Sequence, residues 1–291
     1  MEQQDIEQRT TEWNIARLGK WNASEIGNLM KTSKDGGFSD TAMSYIRKVA
    51  AERFINKELL QDIDAMEEFF RTTDITTKAM QYGTDNEPYA RSLYAKVMGV
   101  EVVEVGSKPY KDTNICASPD GIAKYKEDVG CEFKCPKFET YMLYKEAFNY
   151  DVDKIEKCID DNKYSLDKID DKLSELETKL KEKETKTARN EYEKFKIMKS
   201  NLIDEKRLLS DFIINPYCYN AVKLKETNEM YYWQVMTQML CYDFKRVDFS
   251  VYHPLMQKPI LINPITRNDD EIELLLGRVD MAEEIVKKLI K

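Results

Sequence analysis

The chain has 291 residues, with 45 Lys+Arg against 53 Asp+Glu, a single histidine and a formal net charge of -8. With only His253 to supply an imidazole, three-histidine zinc sites, two-histidine iron centres and histidine phosphorelays are excluded, which leaves oxygen ligands and hard cations. The acidic balance also excludes a polycation that coats nucleic acid, although an enzyme with a local basic groove stays open.

In chain order, helical periodicity appears at 39–56 and 78–98, and short strand patterns follow at 100–105, 115–117, 122–125 and 131–135. From Ile155 the apolar residues Ile155, Ile159, Leu166, Ile169, Leu173, Leu176 and Leu180 alternate by three and four, interrupted by Asn162. After the polar stretch 181–187 the pattern resumes less regularly through Tyr192, Phe195, Met198, Leu202, Leu209 and Phe212, until Asn215-Pro216 stops it. This spacing predicts an antiparallel coiled-coil helical hairpin over 151–215, inserted into a core built from 1–150 and 216–291. The insertion holds 15 basic and 17 acidic residues, so -6 of the net charge belongs to the core. A helix at 231–242, a strand at 247–252 and a helix at 269–290 complete the core.

The mixture predicts an α/β fold, a central mixed β-sheet flanked by helices. No apolar run approaches the roughly 20 residues of a membrane span. The N-terminus lacks the basic and apolar regions of a signal peptide, so the expected location is the cytoplasm, with no membrane association. Cysteines 116, 131, 135, 158, 218 and 241 show no Cys-x-x-Cys spacing and read as reduced, mostly buried thiols.

The stretch that carries chemistry is Ser118-Pro119-Asp120-Gly121-Ile122, followed by Gly130-Cys131-Glu132-Phe133-Lys134-Cys135. Glycine and charged residues between two apolar runs predict a hairpin or meander, with Asp120 at the end of one strand. On the next strand, residues i and i+2 share a face, so Glu132 and Lys134 point together while Cys131, Phe133 and Cys135 point to the core. A carboxylate and an amine on an otherwise apolar strand need a partner or a task. The task that fits is metal-assisted phosphodiester hydrolysis. Asp120 and Glu132 can hold one or two magnesium ions, with manganese as the alternative, and Lys134 can orient or deprotonate water and neutralise developing charge.

Asp120 followed by Glu132-Phe133-Lys134 in a hairpin resembles the PD-(D/E)xK nuclease superfamily. The extended Ser118-Pro119-Asp120-Gly121 form is similar to the lambda-exonuclease and YqaJ-like viral recombination exonucleases. Trp13 with Arg17-Leu18-Gly19 and Ala23-Ser24 looks like that family's opening motif. Tyr82-Gly83 with Glu87 and Ala90 looks like its acidic helix, and Tyr231 with Gln234 and Gln238 like its glutamine helix. The resemblance implies that Asp120, Glu132 and the Phe133 backbone carbonyl are metal ligands, that Lys134 is the catalytic lysine, and that Glu87 lies beside the metals as a ligand or through water. It implies that Arg17 and Ser24 bind a terminal phosphate, and that Tyr231 and Gln234 position water or the scissile phosphate. It further implies a 5′-to-3′ exonuclease on double-stranded DNA ends, a ring-shaped homotrimer and a single-strand annealing protein as partner. The resemblance assigns no counterpart to the hairpin insertion.

Taken singly, Asp120 reads more often as a turn aspartate than as a ligand, Glu132 with Lys134 as an edge-strand ion pair, Arg17 more often as a surface arginine, Gln234 and Gln238 more often as solvated helix residues, and Glu87 as a partner of a nearby Lys or Arg. Their joint occurrence favours catalysis. Other functions consistent with the residues are an endonuclease, a CRISPR-adaptation-type nuclease, against which the scattered cysteines count, or a non-catalytic module that binds DNA ends or a partner. His253 reads as structural.

Overall fold

The computed structural model describes residues 8–73, 77–149, 152–183, 185–214 and 216–291. In chain order the elements are α1 (Thr11–Arg17), β1 (Trp21–Asn22), α2 (Asp40–Arg53), α3 (Ile63–Thr73), α4 (Lys78–Met98), β2 (Val102–Val103), β3 (Lys108–Pro109), β4 (Ile115–Ala117), β5 (Gly121–Ala123) and β6 (Val129–Lys134). They continue with α5 (Phe138–Ala147), α6 (Val152–Glu182), α7 (Lys186–Ile214), α8 (Pro216–Thr227), α9 (Glu229–Tyr242), β7 (Arg246–Tyr252), β8 (Ile260–Thr266) and α10 (Asp269–Leu289). Helix starts are set by side chains that accept otherwise orphaned backbone N–H groups: Thr10 for α1, Ser39 for α2, Thr77 for α4, Asn228 for α9 and Asn268 for α10. No helix among the described residues is long and apolar enough to cross a membrane.

The chain divides into two units, Met1–Ala147 with Lys223–Lys291, and Phe148–Val222. The first holds a five-stranded mixed sheet in the order β2-β5-β6-β7-β8, in which only β6 and β7 run parallel. A smaller sheet, β1-β4-β3, lies in the same unit. Strand parity gives the central strand β6 two different faces. Cys131 and Phe133 enter an apolar cluster with Ala90 and Tyr94 of α4, where the Tyr94 and Phe133 rings meet edge-on at 5.7 Å. Glu132 and Lys134 are registered against Phe249 and Val251 of β7. On this face Tyr231 of α9 packs against Phe249, with ring centroids 5.9 Å apart.

From Tyr232 to Cys241 every residue of α9 is buried, so this helix has no solvated stripe. The 26–28 turn that follows Ser24 approaches α9 so closely that a Cβ on Gly27 would lie 2.9 Å from the Met230 Cα, which only glycine allows. The N-terminal region is tied to α10 by Arg278, buried on that helix, which donates to the carbonyls of Leu29 and Lys31. Gly19 adopts φ +68°, its N–H donates to Glu52 and its carbonyl accepts from Arg53.

Three differences from the sequence reading have local causes. The strand pattern at 100–105 condenses to the two residues of β2. β8 has no regular sequence signature because Asn263-Pro264 interrupts it; as the outer strand of the sheet it can carry a proline that an inner strand could not. Ser24 precedes a three-residue 3-10 turn rather than an α-helix. Cys116, Cys131, Cys135 and Cys241 are free and buried, and burial pushes the Cys131 and Cys135 thiols up to about 12, which makes them unreactive. The side chains of Cys158 and Cys218 lie outside the described set.

In the second unit α6 and α7 pair antiparallel. Glu177 meets Tyr192, and seven residues back along α6 Asp170 meets Lys199, seven residues forward along α7. Ile169 and Leu176, one heptad apart, are buried in the seam at 6% and 1% exposure. The side chains of Ile155, Leu209 and Phe212 lie outside the described set.

Candidate active site

Asp120 stands immediately before β5, where its backbone N–H donates to the Cys131 carbonyl at 3.0 Å and its Oδ2 accepts the Phe133 N–H at 2.7 Å. The carboxylate is thereby laid beside β6 next to Glu132. Glu132 is 1% exposed in the middle of the sheet and keeps both oxygens occupied. Oε1 takes the Gln234 Nε2 at 2.7 Å and the Lys134 ammonium at 2.5 Å, and Oε2 takes the Gln238 Nε2 at 2.5 Å. A charge so deeply buried is sustainable only with such partners.

Lys134 also donates to Gln234 Oε1 at 3.2 Å and sits 4.3 Å above the Tyr231 ring. Burial works against its ammonium, but Glu132, Tyr231 and Asp120 outweigh that, so its pKa is raised and it stays charged. The Asp120 carboxyl is raised too, which for an acid favours the neutral form. Burial, then repulsion from Glu132 and from Glu87, raises its carboxyl well above the usual carboxylate range, against the pull of Lys134 and the Phe133 N–H.

Glu87 reaches this cluster from α4, buried, with Oε1 on Arg91 at 2.7 Å and Oε2 on Arg9. Arg91 additionally donates to the Asp120 carbonyl at 3.1 Å, which links α4 to the hairpin.

Arg17 and Ser24 line a small pocket beside this centre, which also takes in Ser107, Ser118 and Gln234. The Arg17 guanidinium donates to Ser24 Oγ at 3.0 Å and lies 4.0 Å over the Trp13 ring, whose Nε1 donates to Ser118 at 3.3 Å. Arg17 forms no ion pair with any described residue, and burial lowers its pKa against the opposing influence of Cys116, Glu25, Tyr45 and Glu52; a guanidinium so placed can take an anion. Gln234 belongs to both the pocket and the carboxylate cluster, which makes the two parts of one site.

Asp120, Glu132, Lys134, Tyr231 and Gln234 are thus gathered in one place, with Glu87 beside them and Arg17 and Ser24 adjoining. The sequence reading gave no role to Gln238 in holding Glu132, nor any part to Arg9 and Arg91; the four-residue spacing of Gln238 from Gln234 on one helix face was the available signal. His253 is buried in an aromatic cluster with Phe138, 4.3 Å between centroids. A wider cleft of about 1060 Å³ opens where β6 and β7 begin, but Glu127, Asp128 and Asp243 on its walls are each ion-paired with Lys245, Lys124 and Arg267. We therefore place the chemistry at the carboxylate pair.

No group of three or more His, Cys, Asp or Glu side chains among the described residues is arranged as a metal cage. Two mutually repelling carboxylates, one buried and one half-buried, still suit magnesium, which is commonly held by one or two carboxylates, waters and the phosphate of its substrate. Asp120 and Glu132 would hold the cation, with the Phe133 carbonyl between Glu132 and Lys134 as a third oxygen.

Residues 12–166 match the family of YqaJ-like viral recombinase domains. No curated protein matches the chain. Among solved structures, LHK-Exo in complex with dAMP is similar with a TM-score of 0.57 and 20% identity over 97% of this chain and 94% of that one. The alkaline exonuclease LHK-Exo from Laribacter hongkongensis is similar with a TM-score of 0.57 and 19% identity over the same shares. At this identity the likeness establishes the fold.

Proposed function

The chain belongs to the family of YqaJ-like viral recombinase domains, and we propose that it is a magnesium-dependent deoxyribonuclease that removes nucleotides from the ends of double-stranded DNA in the 5′-to-3′ direction. The observation that carries this reading is that Asp120, half-buried just before β5, is set beside the buried Glu132 and the half-buried Lys134 of β6, the carboxylates repelling each other while the lysine is kept charged. The dAMP bound to LHK-Exo is a nucleotide of the class such cleavage releases.

Bound at Asp120 and Glu132, the cation supplies a Lewis acid and an acidified water. The protein's own contribution is positional. Gln234 and Gln238 hold Glu132 in one orientation, and Phe133 holds Asp120. The Lys134 ammonium, steered by Gln234 and the Tyr231 face, orients water and neutralises charge gathering on the phosphate. Tyr231 and Gln234 line the approach of the scissile phosphate. Glu87 acts beside the pair, directly or through water. Arg17, backed by Trp13, and Ser24 bind the terminal phosphate and so place the first phosphodiester at the carboxylates. Family membership extends the proposal to a homotrimeric ring around the product strand, a single-strand annealing partner and action in the cytoplasm.

Linear duplex labelled at the 5′ or the 3′ terminus tests the polarity. Early release of the 5′ label as mononucleotide supports the proposal, and early release of the 3′ label reverses it.

A further inference from the structure

Gln238 is a polar side chain in a place where an apolar one would pack. It is fully buried on α9, between Thr237 and Met239, which are also fully buried. Its Nε2 donates to Glu132 Oε2 at 2.5 Å, and its Oε1, equally buried, accepts no hydrogen bond from any described group. The amide cannot be turned to satisfy that oxygen, since turning it would set Oε1 against the Glu132 carboxylate. Gln234, one helical turn earlier, differs in having both ends used, by Glu132 and by Lys134.

Packing alone does not explain the residue, because a methionine of similar length would fill the same volume without the orphaned Oε1; what methionine would leave unpaired is Glu132 Oε2. What Gln238 does accomplish is to pin the one oxygen of Glu132 that Lys134 and Gln234 do not touch. It does so with a neutral donor. A lysine or arginine there would cancel the carboxylate's charge; an amide fixes the plane of the carboxylate and leaves its charge available to a cation.

We propose that Gln238 is the positioning residue that sets the Glu132 carboxylate for cation binding, an inference that rests on the nuclease reading of the site. It acts through Glu132 and touches no reacting atom. Partners of this kind behind a metal ligand are worth about 10–100-fold in metal affinity or activity.

The test compares wild type with Gln238→Met, which keeps volume, and Gln238→Asn, whose amide is too short to reach Glu132. Calorimetric titration with Mn2+, without DNA, should show affinity weakened about 10–100-fold in both variants. With duplex ends and Mg2+, kcat should fall by a similar factor while KM stays within about two-fold, since the terminal-phosphate pocket is untouched. A folded Gln238→Met protein with wild-type Mn2+ affinity and kcat overturns the inference, as does loss of folding in both variants, which would make the residue structural. Should wild type itself bind no Mn2+ and cleave nothing, the nuclease reading fails instead.

Discussion

Asp120 and Phe133 are joined by a hydrogen bond from backbone to carboxylate, Phe133 N–H to Asp120 Oδ2 at 2.7 Å, which holds an acidic side chain beside Glu132 although the two repel when both are ionised. Because burial and the neighbouring carboxylates raise the Asp120 carboxyl above its ordinary value, the folded state binds that proton more tightly than the unfolded chain does. The group therefore costs stability once the pH exceeds the ordinary carboxylate range, and the cost recedes as the pH falls.

Asp120→Asn keeps an oxygen for the Phe133 N–H and removes the repelled charge. We expect activity to be abolished and the melting temperature at pH 8 to rise by roughly 2–4 °C, equivalent to ~1 kcal/mol. The gain should shrink towards pH 4. Thermal unfolding across pH measures this, and a variant less stable than wild type at pH 8 would count against the repulsion.

Glu283 on α10 has the opposite sign. Burial alone would raise its carboxyl, but hydrogen bonds from Arg53 at 2.6 and 2.8 Å, from Trp21 at 2.7 Å and from Asn114 hold it down at about 2. Its contribution is fully present above the ordinary glutamate value of about 4.3 and is lost as the pH falls through that value towards about 2. Glu283→Gln should cost about 1–3 kcal/mol at pH 7 and flatten the acid limb of the stability curve in that window. An unchanged acid limb would show that the network is not coupled to folding.

Arg17 lies over Trp13 and donates to Ser24 without a carboxylate partner among the described residues. Arg17→Ala should narrow the rate difference between 5′-phosphorylated and 5′-hydroxyl duplex ends, largely through the phosphorylated substrate becoming slower by about 10-fold or more. Steady-state rates on the two substrates decide it. If the preference survives intact, Arg17 does not contact the terminal phosphate.

Legibility in the sequence followed the physics of each element. Glu132 and Lys134 could be read because strand parity puts them on one face and because two charges on a central strand demand an explanation; α9 then supplied Gln234, Gln238 and Tyr231 as that explanation. Gln238 could not be read as buried, since a glutamine on a helix looks solvated until the helix is known to be covered on all sides. The arginine partners of Glu87 come from 4 and 78 residues away, and the distant one, Arg9, leaves no periodic or local trace. β8 was hidden by Asn263-Pro264, and the two-residue strands β1 and β3 are too short to show alternation. The heptad seam of α6 was the plainest signal in the chain, because regular three-four spacing over a long helix has few other readings.

The hairpin carries none of the proposed site residues. Replacing 155–212 with a short linker should therefore leave folding and metal-dependent cleavage intact, read by circular dichroism and by nucleotide release. A deletion that folds but has lost activity would assign the hairpin a part in substrate handling or assembly.

The most direct measurement is incubation of linear and covalently closed circular duplex DNA with wild type and Lys134→Ala, in magnesium and in EDTA. Among the described residues Lys134 is the cation that touches both Glu132 and Gln234, and its removal leaves the Asp120 and Glu132 carboxylates without that ammonium. The account predicts loss of linear DNA alone, by wild type alone and only with magnesium. Cleavage of closed circles, or undiminished degradation of linear DNA by Lys134→Ala, would contradict it.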